Sequence, residues 1–450
     1  MLHDVNDLAV SLHTPAACTE WNAVQHGFLA HAAVTPTHLA RVLEAAPDFA
    51  LAHAAKGLFL VILGRSELLP VARHALELAA GGEANAREAQ YVAALRAAVE
   101  GRLRLAADMF DQLLEIWPTD ALAMKLVQAL RFMCGDPGGM RRSVEAVAPQ
   151  WEDHPMRGYL LGCHSFALEE TGEYGAAERA GRAGLELAPD DAWGLHAVAH
   201  VHDMTGRADD GLKWLAGREA HWAHCNNFGY HVWWHLALFH LDRTEYDRAL
   251  ALYDTRVRAE RTDDFRDIAN AASMLLRLEF EGVDVGHRWE EVAELAAARV
   301  EDGALVFADL HYLSALIRTG RMAEADRIAQ RLAEETGQIR HDQHEVAQLT
   351  GADLARGLVL FRDADYKAAL AALRAGLAGQ QRLGGSHAQR DVFQRLTIEA
   401  AFRADDMDAA ETLLRQRALA RGGEDGYMQR CMARVALRRQ DRRAAGLAAQ

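Results

Sequence analysis

The feature that most constrains the fold of this chain is a helix-turn-helix pattern that recurs about every 34 residues. The early turns are 37, 34, 37 and 34 residues apart and lie at Gly64, Gly101, Gly135, Gly172 and Gly206. Later turns lie at Thr244, Gly320, Asp363 and Asp405. The 76 residues from Thr244 to Gly320 fit two units with an insertion. Because one helix pair cannot bury its own apolar face, such a repeat folds as stacked pairs with a shared core.

This period, with one helix pair in each unit, is typical of tetratricopeptide repeats (TPRs). Helix-forming residues fill almost every segment, and only nine prolines occur in 450 residues. We therefore predict an all-α fold, an α-solenoid or superhelix of about ten to eleven TPR-like helix-turn-helix units. No Gly/Ser/Pro-rich linker interrupts the repeats, so residues 1–450 are predicted to form a single superhelical domain. Residues 1–40 are less regular and are predicted to cap its N-terminal end.

The bulk properties exclude several classes of function. The formal net charge of −15, without a basic stripe, argues against nucleic-acid binding. No apolar run approaches the ~20 residues of a membrane span, and the N-terminus lacks the basic region of a signal peptide. The five cysteines lie far apart without a CxxC, which favours a reducing compartment. We expect a cytoplasmic protein with no nucleic-acid and no membrane partner. P-loop, dinucleotide-binding and GxSxG motifs are absent from the sequence.

Histidine and tryptophan concentrate near the middle of the chain. Eight of the 22 histidines lie between residues 196 and 240, and five of the nine tryptophans lie between residues 193 and 234. The segment "HAVAH" contains His196 and His200, and "HVWWH" contains His231 and His235. Residues four apart share one face of a helix, so each HxxxH pair directs two imidazoles the same way.

The repeat register places both pairs on the concave face of the predicted superhelix. The first helix of a TPR unit lines the groove, at positions near 2, 5, 9 and 12 when the turn residue is numbered about 15. Three successive units then present Tyr159, Gly162, Phe166 and Glu169; Trp193, His196, His200 and Asp203; and His231, Trp234, Leu238 and Leu241, with His235 one step round. Because helices of adjacent units run side by side, up to four imidazoles can meet at one point.

Three interpretations of this cluster stay open. The first is a transition metal (Zn or Fe) or a haem, with His196, His200, His231 and His235 as ligands. Asp203 or Glu169 would then supply an oxygen ligand or orient a histidine. The second is a small-molecule ligand or substrate that stacks on Tyr159, Trp193 and Trp234, with His231 and His235 as candidate catalytic acid–base groups. The third is that these side chains only fill space between helices.

A second concentration of polar groups lies in the segment "GGSHAQRD", residues 384–391. Ser386 or Asp391 is predicted to cap a helix that begins near Asp391. Backbone amides at that helix end, together with Arg390, would suit an anion. We therefore include Ser386, Gln389 and Arg390 among the candidate ligand-binding residues, and His387, Arg390 and Asp391 among the candidate catalytic residues.

Other histidines and cysteines carry weaker signals. Structural or surface roles are expected for His74, His154 and His287, whereas His164 and His311 have offsets that could face the groove. Cys163 and Cys225 lie near the cluster, and a buried thiol is the commoner role for such residues. The segment "HDQHE", residues 341–345, matches neither HExxH nor HxxEH and is predicted to be an exposed helix start.

Three segments together resemble the tetratricopeptide-repeat protein 38 family, whose bacterial members include StaR-like proteins. They are "GLHAVAHVHDMTGRADDGLKWL", "HVWWHLALFHLDRTEYDRALALYD" and "GGSHAQRDVFQ". The matching positions are His196, His200, His231, His235, Ser386, His387, Gln389, Arg390 and Asp391. The resemblance implies an α-solenoid and, for some bacterial members, a link to secondary metabolism with oxidative tailoring. It implies no established catalytic residues.

These observations lead to two contrasting hypotheses. In the first, the superhelix encloses a His/Trp-rich internal pocket that binds a small molecule and a metal, and the protein is a tailoring enzyme of secondary metabolism. In the second, the protein is a TPR scaffold that holds a protein or peptide partner in an open groove without catalysis. A structural subunit of a larger assembly is a third alternative. A superhelix that closes on itself would exclude the peptide groove.

Overall fold

The computed structural model describes residues 2–334 and 341–448, and the remaining residues of the predicted 1–450 domain lie outside this description. The described chain is almost entirely α-helical. The helices of its first half are α1 Pro15–Leu29, α2 Thr35–Ala45, α3 Ala50–Ile62, α4 Leu69–Gly81, α5 Ala86–Val99, α6 Leu103–Ile116, α7 Ala121–Met133, α8 Pro137–Val147, α9 Arg157–Glu170, α10 Tyr174–Leu187, α11 Ala192–Met204 and α12 Ala208–Leu215.

The helices of the second half follow the same antiparallel pairing. They are α13 Phe228–Asp242, α14 Tyr246–Leu252, α15 Phe265–Phe280, α16 Arg288–Ala297, α17 Val306–Arg318, α18 Met322–Glu334, α19 Asp342–Val346, α20 Ala352–Arg362, α21 Tyr366–Leu377, α22 His387–Arg403, α23 Met407–Ala420 and α24 Gly426–Ala448. Short 3-10 turns occur at Ser66–Leu68, Ala148–Trp151, Glu219–His221 and Gln380–Leu383, and π-turns at Tyr253–Val257 and Ala347–Gly351. The two strands Leu2–His3 and Ala9–Val10 pair antiparallel.

The predicted all-α solenoid of TPR-like helix pairs is confirmed. Successive helices pack as pairs, and each pair packs on the next. Several helix starts carry a side-chain cap that accepts a hydrogen bond from the third backbone N–H of the helix: Asn85, Asp120, Asp136, Asp365 and Asp406. Such caps satisfy donors that the helix itself cannot, which sharpens the helix boundaries that the repeat needs.

The turns of the repeat are marked by left-handed backbone. Positive φ angles occur at eight of the nine predicted turn residues, for example 84° at Gly172 and 67° at Gly206. The prediction at Asp363 was one residue early, because the left-handed residue is Ala364 with φ 59°. A turn that the sequence interpretation did not recognise lies at Gly282, φ 81°. It is 38 residues from both Thr244 and Gly320, so the long interval holds two complete units.

Helices α9 and α11 approach each other closely. Gly162 on α9 and Gly194 on α11 face each other, and a Cβ atom added to Gly162 would lie 3.0 Å from Gly194 Cα. The absence of side chains here lets α9 and α11 pack closely. The same two helices carry Glu169, His196 and His200, which this packing brings together.

The superhelix folds back on itself. Helix α22 packs against both α11 and α15, although it follows them by more than a hundred residues. Arg421 pairs with Asp203 at 2.9 Å, and Arg430 with Glu281 at 2.5 Å, across the same closure. The predicted groove is thus occupied by helices of the chain itself at the level of α11.

Two further long-range contacts join distant parts of the chain. Helix α1 packs against α7, and the backbone N–H of Asn226 donates to His31 O at 2.8 Å. The "HDQHE" segment is a helix start, as predicted, but it is half-buried because Asp342 and Glu345 pair with Arg104. Within the described ranges, no helix combines the length and apolar character needed to cross a membrane.

Candidate metal centre

Helices α11 and α13 bring four imidazoles to one point. His196 and His200 lie one turn apart on α11, and His231 and His235 occupy the same arrangement on α13. One ring nitrogen of each residue can be chosen so that all four atoms lie within 4.8 Å of one another. We call these four residues the tetrad.

The tetrad is compact. His231 Nε2 lies 3.0 Å from His196 Nε2 and 3.2 Å from His235 Nε2. The His200 ring centroid lies 4.4 Å from that of His196 and 4.3 Å from that of His235. A divalent ion with metal–nitrogen distances of about 2.0–2.1 Å separates tetrahedral ligand atoms by about 3.3 Å. The observed contacts between the nitrogen atoms are close to that value.

Half of the eight tetrad nitrogens lack a hydrogen-bond partner among the described residues. His196, His200 and His235 are at most 1 % exposed. Within the described residues, His196 Nδ1, both nitrogens of His200 and His235 Nδ1 have no hydrogen-bond partner. A buried polar atom left in this state costs about 1–3 kcal/mol. The tetrad therefore carries a cost in stability that a purely structural cluster would avoid.

Burial also sets the charge of the tetrad. It lowers the pKa of His196, His200 and His235 well below the ordinary histidine value, and neighbouring imidazoles lower it further. Burial lowers the pKa of His231 to about 3. All four rings are neutral near pH 7, which is the state in which imidazole binds metals.

A hydrogen-bond relay from the "GGSHAQRD" segment supports His231. The Ser386 backbone N–H donates to Gln389 Oε1 at 3.1 Å, and Gln389 Nε2 donates to Asn270 Oδ1 at 3.0 Å. Asn270 Nδ2 lies 3.0 Å from His231 Nδ1. Because a backbone N–H can only donate, it orients both amides so that Asn270 donates to the ring.

This relay determines the tautomer of His231. With Nδ1 accepting, the neutral ring carries its proton on Nε2, between the Nε2 atoms of His196 and His235. For Nε2 to bind a metal, that proton must move to Nδ1 and the Asn270 amide must turn its carbonyl toward the ring. Asn270 would therefore influence how readily the tetrad accepts an ion.

Aromatic side chains surround the tetrad. Trp234 stacks on His231 with ring centroids 5.3 Å apart, and Trp193 lies 5.1 Å from His196. Phe166 and Phe228 pack within 5.7 Å of tetrad rings. The two predicted stacking tryptophans thus contact the histidines themselves, and their ligand-binding role stays a prediction.

A second cluster adjoins the tetrad where α9 meets the start of α22. Glu169, Glu170 and His387 each offer a ligand atom within 4.8 Å of the others. Glu169 Oε2 also lies 3.8 Å from His200 Nδ1. Arg390 donates to Glu170 Oε2 at 2.9 Å and holds the "GGSHAQRD" segment against α9.

Asp391 belongs to a separate ion-pair network, which we call the Asp391 cluster: Asp391, Arg395, Arg417 and Asp425. Arg417 Nε donates to Asp391 Oδ1 at 2.5 Å, and Arg395 Nε donates to Oδ2 at 2.7 Å. Burial raises the pKa of Asp391, but the charges of Arg417, Arg395 and Arg421 outweigh burial and hold it well below the usual range. This network explains the position of Asp391 without a ligand.

The remaining candidates have protein partners of their own. Tyr159 donates to Asp190 Oδ1 at 2.6 Å. His164 pairs with Glu145 at 3.3 Å, and His311 Nδ1 lies 2.7 Å from Phe307 O. Burial raises the pKa of the Cys163 thiol to about 11 and that of Cys225 to about 12, so both are neutral thiols. The structure does not bring these five residues into the tetrad.

The predicted start of helix α22 was wrong, and two residues near the tetrad, Asn270 and Glu170, were not predicted. Helix α22 begins at His387, four residues before the predicted start, because Ser386 and Gln389 form a capping box. Asn270 was not predicted because the turn of its repeat unit, Gly282, was not recognised in the sequence. The spacing of Gly282 from Thr244 is the signal that would have located this unit. Glu170 was missed because its neighbour Glu169 was the predicted groove position.

No family model matches the chain. Among solved structures, the chain is similar to yeast Tom70, with a TM-score of 0.35 and 12 % identity over 94 % of this chain and 88 % of that chain. The site is therefore interpreted from its own geometry.

Proposed function

We propose that this protein binds a divalent transition metal in the tetrad, at the centre of a TPR-like superhelix. The observation that carries this proposal is the convergence of four imidazoles, three of which are fully buried and carry orphan nitrogens. An ion among the Nε2 atoms of His196, His231 and His235 would use lone pairs that these rings otherwise share only with one another. Its binding free energy offsets the cost of burying them.

The donor set favours zinc or iron(II). Neutral imidazoles suit both ions, and zinc accepts tetrahedral nitrogen coordination without strain. A haem is less compatible, because four rings within 4.8 Å of one another leave no space for a macrocycle between them. Glu169, 3.8 Å from His200, is the nearest candidate for orienting a ligand histidine.

The enzymatic part of the hypothesis goes further than the metal. Membership of the tetratricopeptide-repeat protein 38 family, a cytoplasmic location and a tailoring reaction on a small molecule are proposals supported by the sequence resemblance and the five free cysteines. Two cavities, of 320 and 540 Å³, are lined by other residues than the tetrad. A small-molecule substrate would need to reach the tetrad by displacing aromatic side chains such as Trp193.

The alternative of a peptide scaffold receives less support. Helix α22 packs against α11 and α15, so the concave face beside the tetrad is occupied by the chain itself. A peptide partner would have to bind elsewhere on the surface. Coprecipitation of a peptide that His231→Ala leaves unaffected would favour this alternative.

The metal proposal is tested by elemental analysis of protein purified without an affinity tag. We expect at least one equivalent of zinc or iron per chain, either as isolated or after reconstitution with Zn²⁺. His200→Ala should abolish tight binding. His240→Ala is the matched control, because His240 lies on α13 but pairs with Glu245 at 2.6 Å. The absence of tightly bound metal in the folded wild type after reconstitution would overturn the proposal.

A further inference from the structure

The Glu169 carboxylate lies in an unusual position for a buried charge. Glu169 is 0 % exposed, and neither of its oxygens has a hydrogen-bond partner within the described residues. Its Oε2 faces His200 Nδ1 at 3.8 Å, and its Oε1 faces His387 Nδ1 at 3.7 Å. A buried carboxylate without hydrogen bonds is costly, so a positive group between these side chains would stabilise it.

Glu170 and His387 complete a set of donors on the far side of Glu169 from the tetrad. Glu170 Oε1 lies 3.7 Å from His387 Nδ1, the same distance as Glu169 Oε1. Glu170 is held in place, because it accepts from the His387 backbone N–H at 2.6 Å and from Arg390 at 2.9 Å. His387 Nδ1 has no hydrogen-bond partner in the described part of the chain.

We infer that Glu169, Glu170 and His387 form a second divalent metal position, and that the Glu169 carboxylate bridges it to the ion in the tetrad. This inference rests on the proposed function. Two carboxylates and one imidazole suit Zn²⁺, Fe²⁺ or Mn²⁺. The two oxygens of Glu169 face opposite clusters, as a bridging carboxylate requires.

Arginine compensates only one of the two carboxylate charges in this cluster. Glu169 and Glu170 contribute two negative charges, and Arg390 compensates one of them. A protonated His387 is the competing source of positive charge, because it lies 3.7 Å from both carboxylates. A metal ion and a proton cannot both occupy His387 Nδ1. A second metal position therefore predicts two ions per chain, whereas a protonated His387 predicts one.

The side-chain exposures indicate how an ion would arrive. His387 is 24 % exposed, whereas Glu169 and His200 are fully buried. The second position therefore lies between solvent and the tetrad. An ion entering beside His387 would meet the second position first.

The test counts zinc ions. Wild-type protein stripped with a chelator is dialysed against buffered Zn²⁺ at pH 7.5, and bound zinc is measured by mass spectrometry of the element. We expect two equivalents per chain. Glu169→Gln preserves the shape of the side chain and should reduce binding to one, as should His387→Asn. Circular dichroism establishes that each variant is folded.

His164→Asn is the matched control, because His164 lies on α9 five residues before Glu169 but pairs with Glu145. It should retain two equivalents. One equivalent in the wild type, unchanged in both variants, would overturn the second position and leave the tetrad proposal intact. Loss of all zinc in Glu169→Gln would show that Glu169 serves a single centre and would also overturn it. A folded wild type that binds no zinc would contradict the tetrad proposal itself.

Discussion

The tetrad and the Asp391 cluster are both buried, both polar and both singled out by sequence motifs, yet they differ in how their atoms are satisfied. In the Asp391 cluster, two carboxylates meet guanidinium groups at 2.5–3.1 Å, so opposite charges compensate each other. In the tetrad, like groups face each other and four ring nitrogens have no hydrogen-bond partner among the described residues. Burial alone therefore does not distinguish the two clusters, whereas the pairing of opposite charges does.

The largest expected effect comes from breaking the satisfied cluster. Asp391→Ala leaves Arg417 and Arg395 buried without their carboxylate, and we expect the free energy of unfolding to fall by about 3–5 kcal/mol. Urea denaturation followed by circular dichroism measures this loss. Asp353→Ala removes a carboxylate from an exposed pair with Arg356 and should leave the midpoint unchanged.

The same contrast extends to pH. Because the folded-state pKa of Asp391 is held well below its unfolded value, its contribution is complete above about pH 4 and is lost as pH falls further. The wild type should therefore lose stability below about pH 4 more steeply than Asp391→Ala. Parallel acid titrations of both proteins would contradict the structural role assigned to this cluster.

The second expected effect is a gain in stability, because it removes an unsatisfied group from the tetrad. His235→Leu removes an orphan nitrogen, so the metal-free variant should be about 1 kcal/mol more stable than the metal-free wild type. With zinc at a hundred times its dissociation constant, the wild type should gain about 2.7 kcal/mol that the variant does not. Thermal unfolding with chelator and with zinc separates these terms. A variant that is less stable in both conditions would indicate that the tetrad is structural packing.

A third change should strengthen the tetrad. Asn270→Asp supplies a carboxylate that accepts the His231 Nδ1–H and frees Nε2 for an ion, so zinc should bind about tenfold more tightly. Competition with a chromophoric chelator measures the affinity. Asn270→Ala removes the donor to Nδ1 but supplies no acceptor for an Nδ1–H, so zinc should bind more weakly to it than to Asn270→Asp. Weaker binding in both variants would refute the relay's role in setting the tautomer.

The smallest effect concerns the link between the "GGSHAQRD" segment and the tetrad. Gln389→Ala breaks the relay at a position two hydrogen bonds away from His231. It also leaves the Ser386 N–H without its acceptor, which should lower the free energy of unfolding by about 1 kcal/mol. Zinc affinity should change by less than in Asn270→Ala, because Asn270 still contacts the ring. Gln416→Ala on the exposed face of α23 is the control for helix effects. A change in zinc affinity as large as that in Asn270→Ala would contradict the predicted order of these two effects.

Much of the fold was predictable because local turn chemistry repeats along the chain. Gly172 and Gly206 stand where left-handed backbone is required, and the same spacing identified Thr244 as a turn despite its β-branched side chain. The interval that hid Gly282 was the exception, and it hid Asn270 as well. The HxxxH spacing predicted which histidines share a face, because the helical period is local information.

The sequence by itself determined the helix pairs, their register and the two imidazole faces, since each depends on residues less than one repeat apart. Only the tertiary structure decided that the superhelix folds back, so that His387 reaches Glu169 across 218 residues and Gln389 reaches Asn270 across 119. It also decided which polar groups form hydrogen bonds: Asp391 accepts from two arginines, whereas the His200 ring and the Glu169 carboxylate form none within the described residues. The reason is that satisfaction of a buried group depends on distant segments packing together, and no local pattern records that distance.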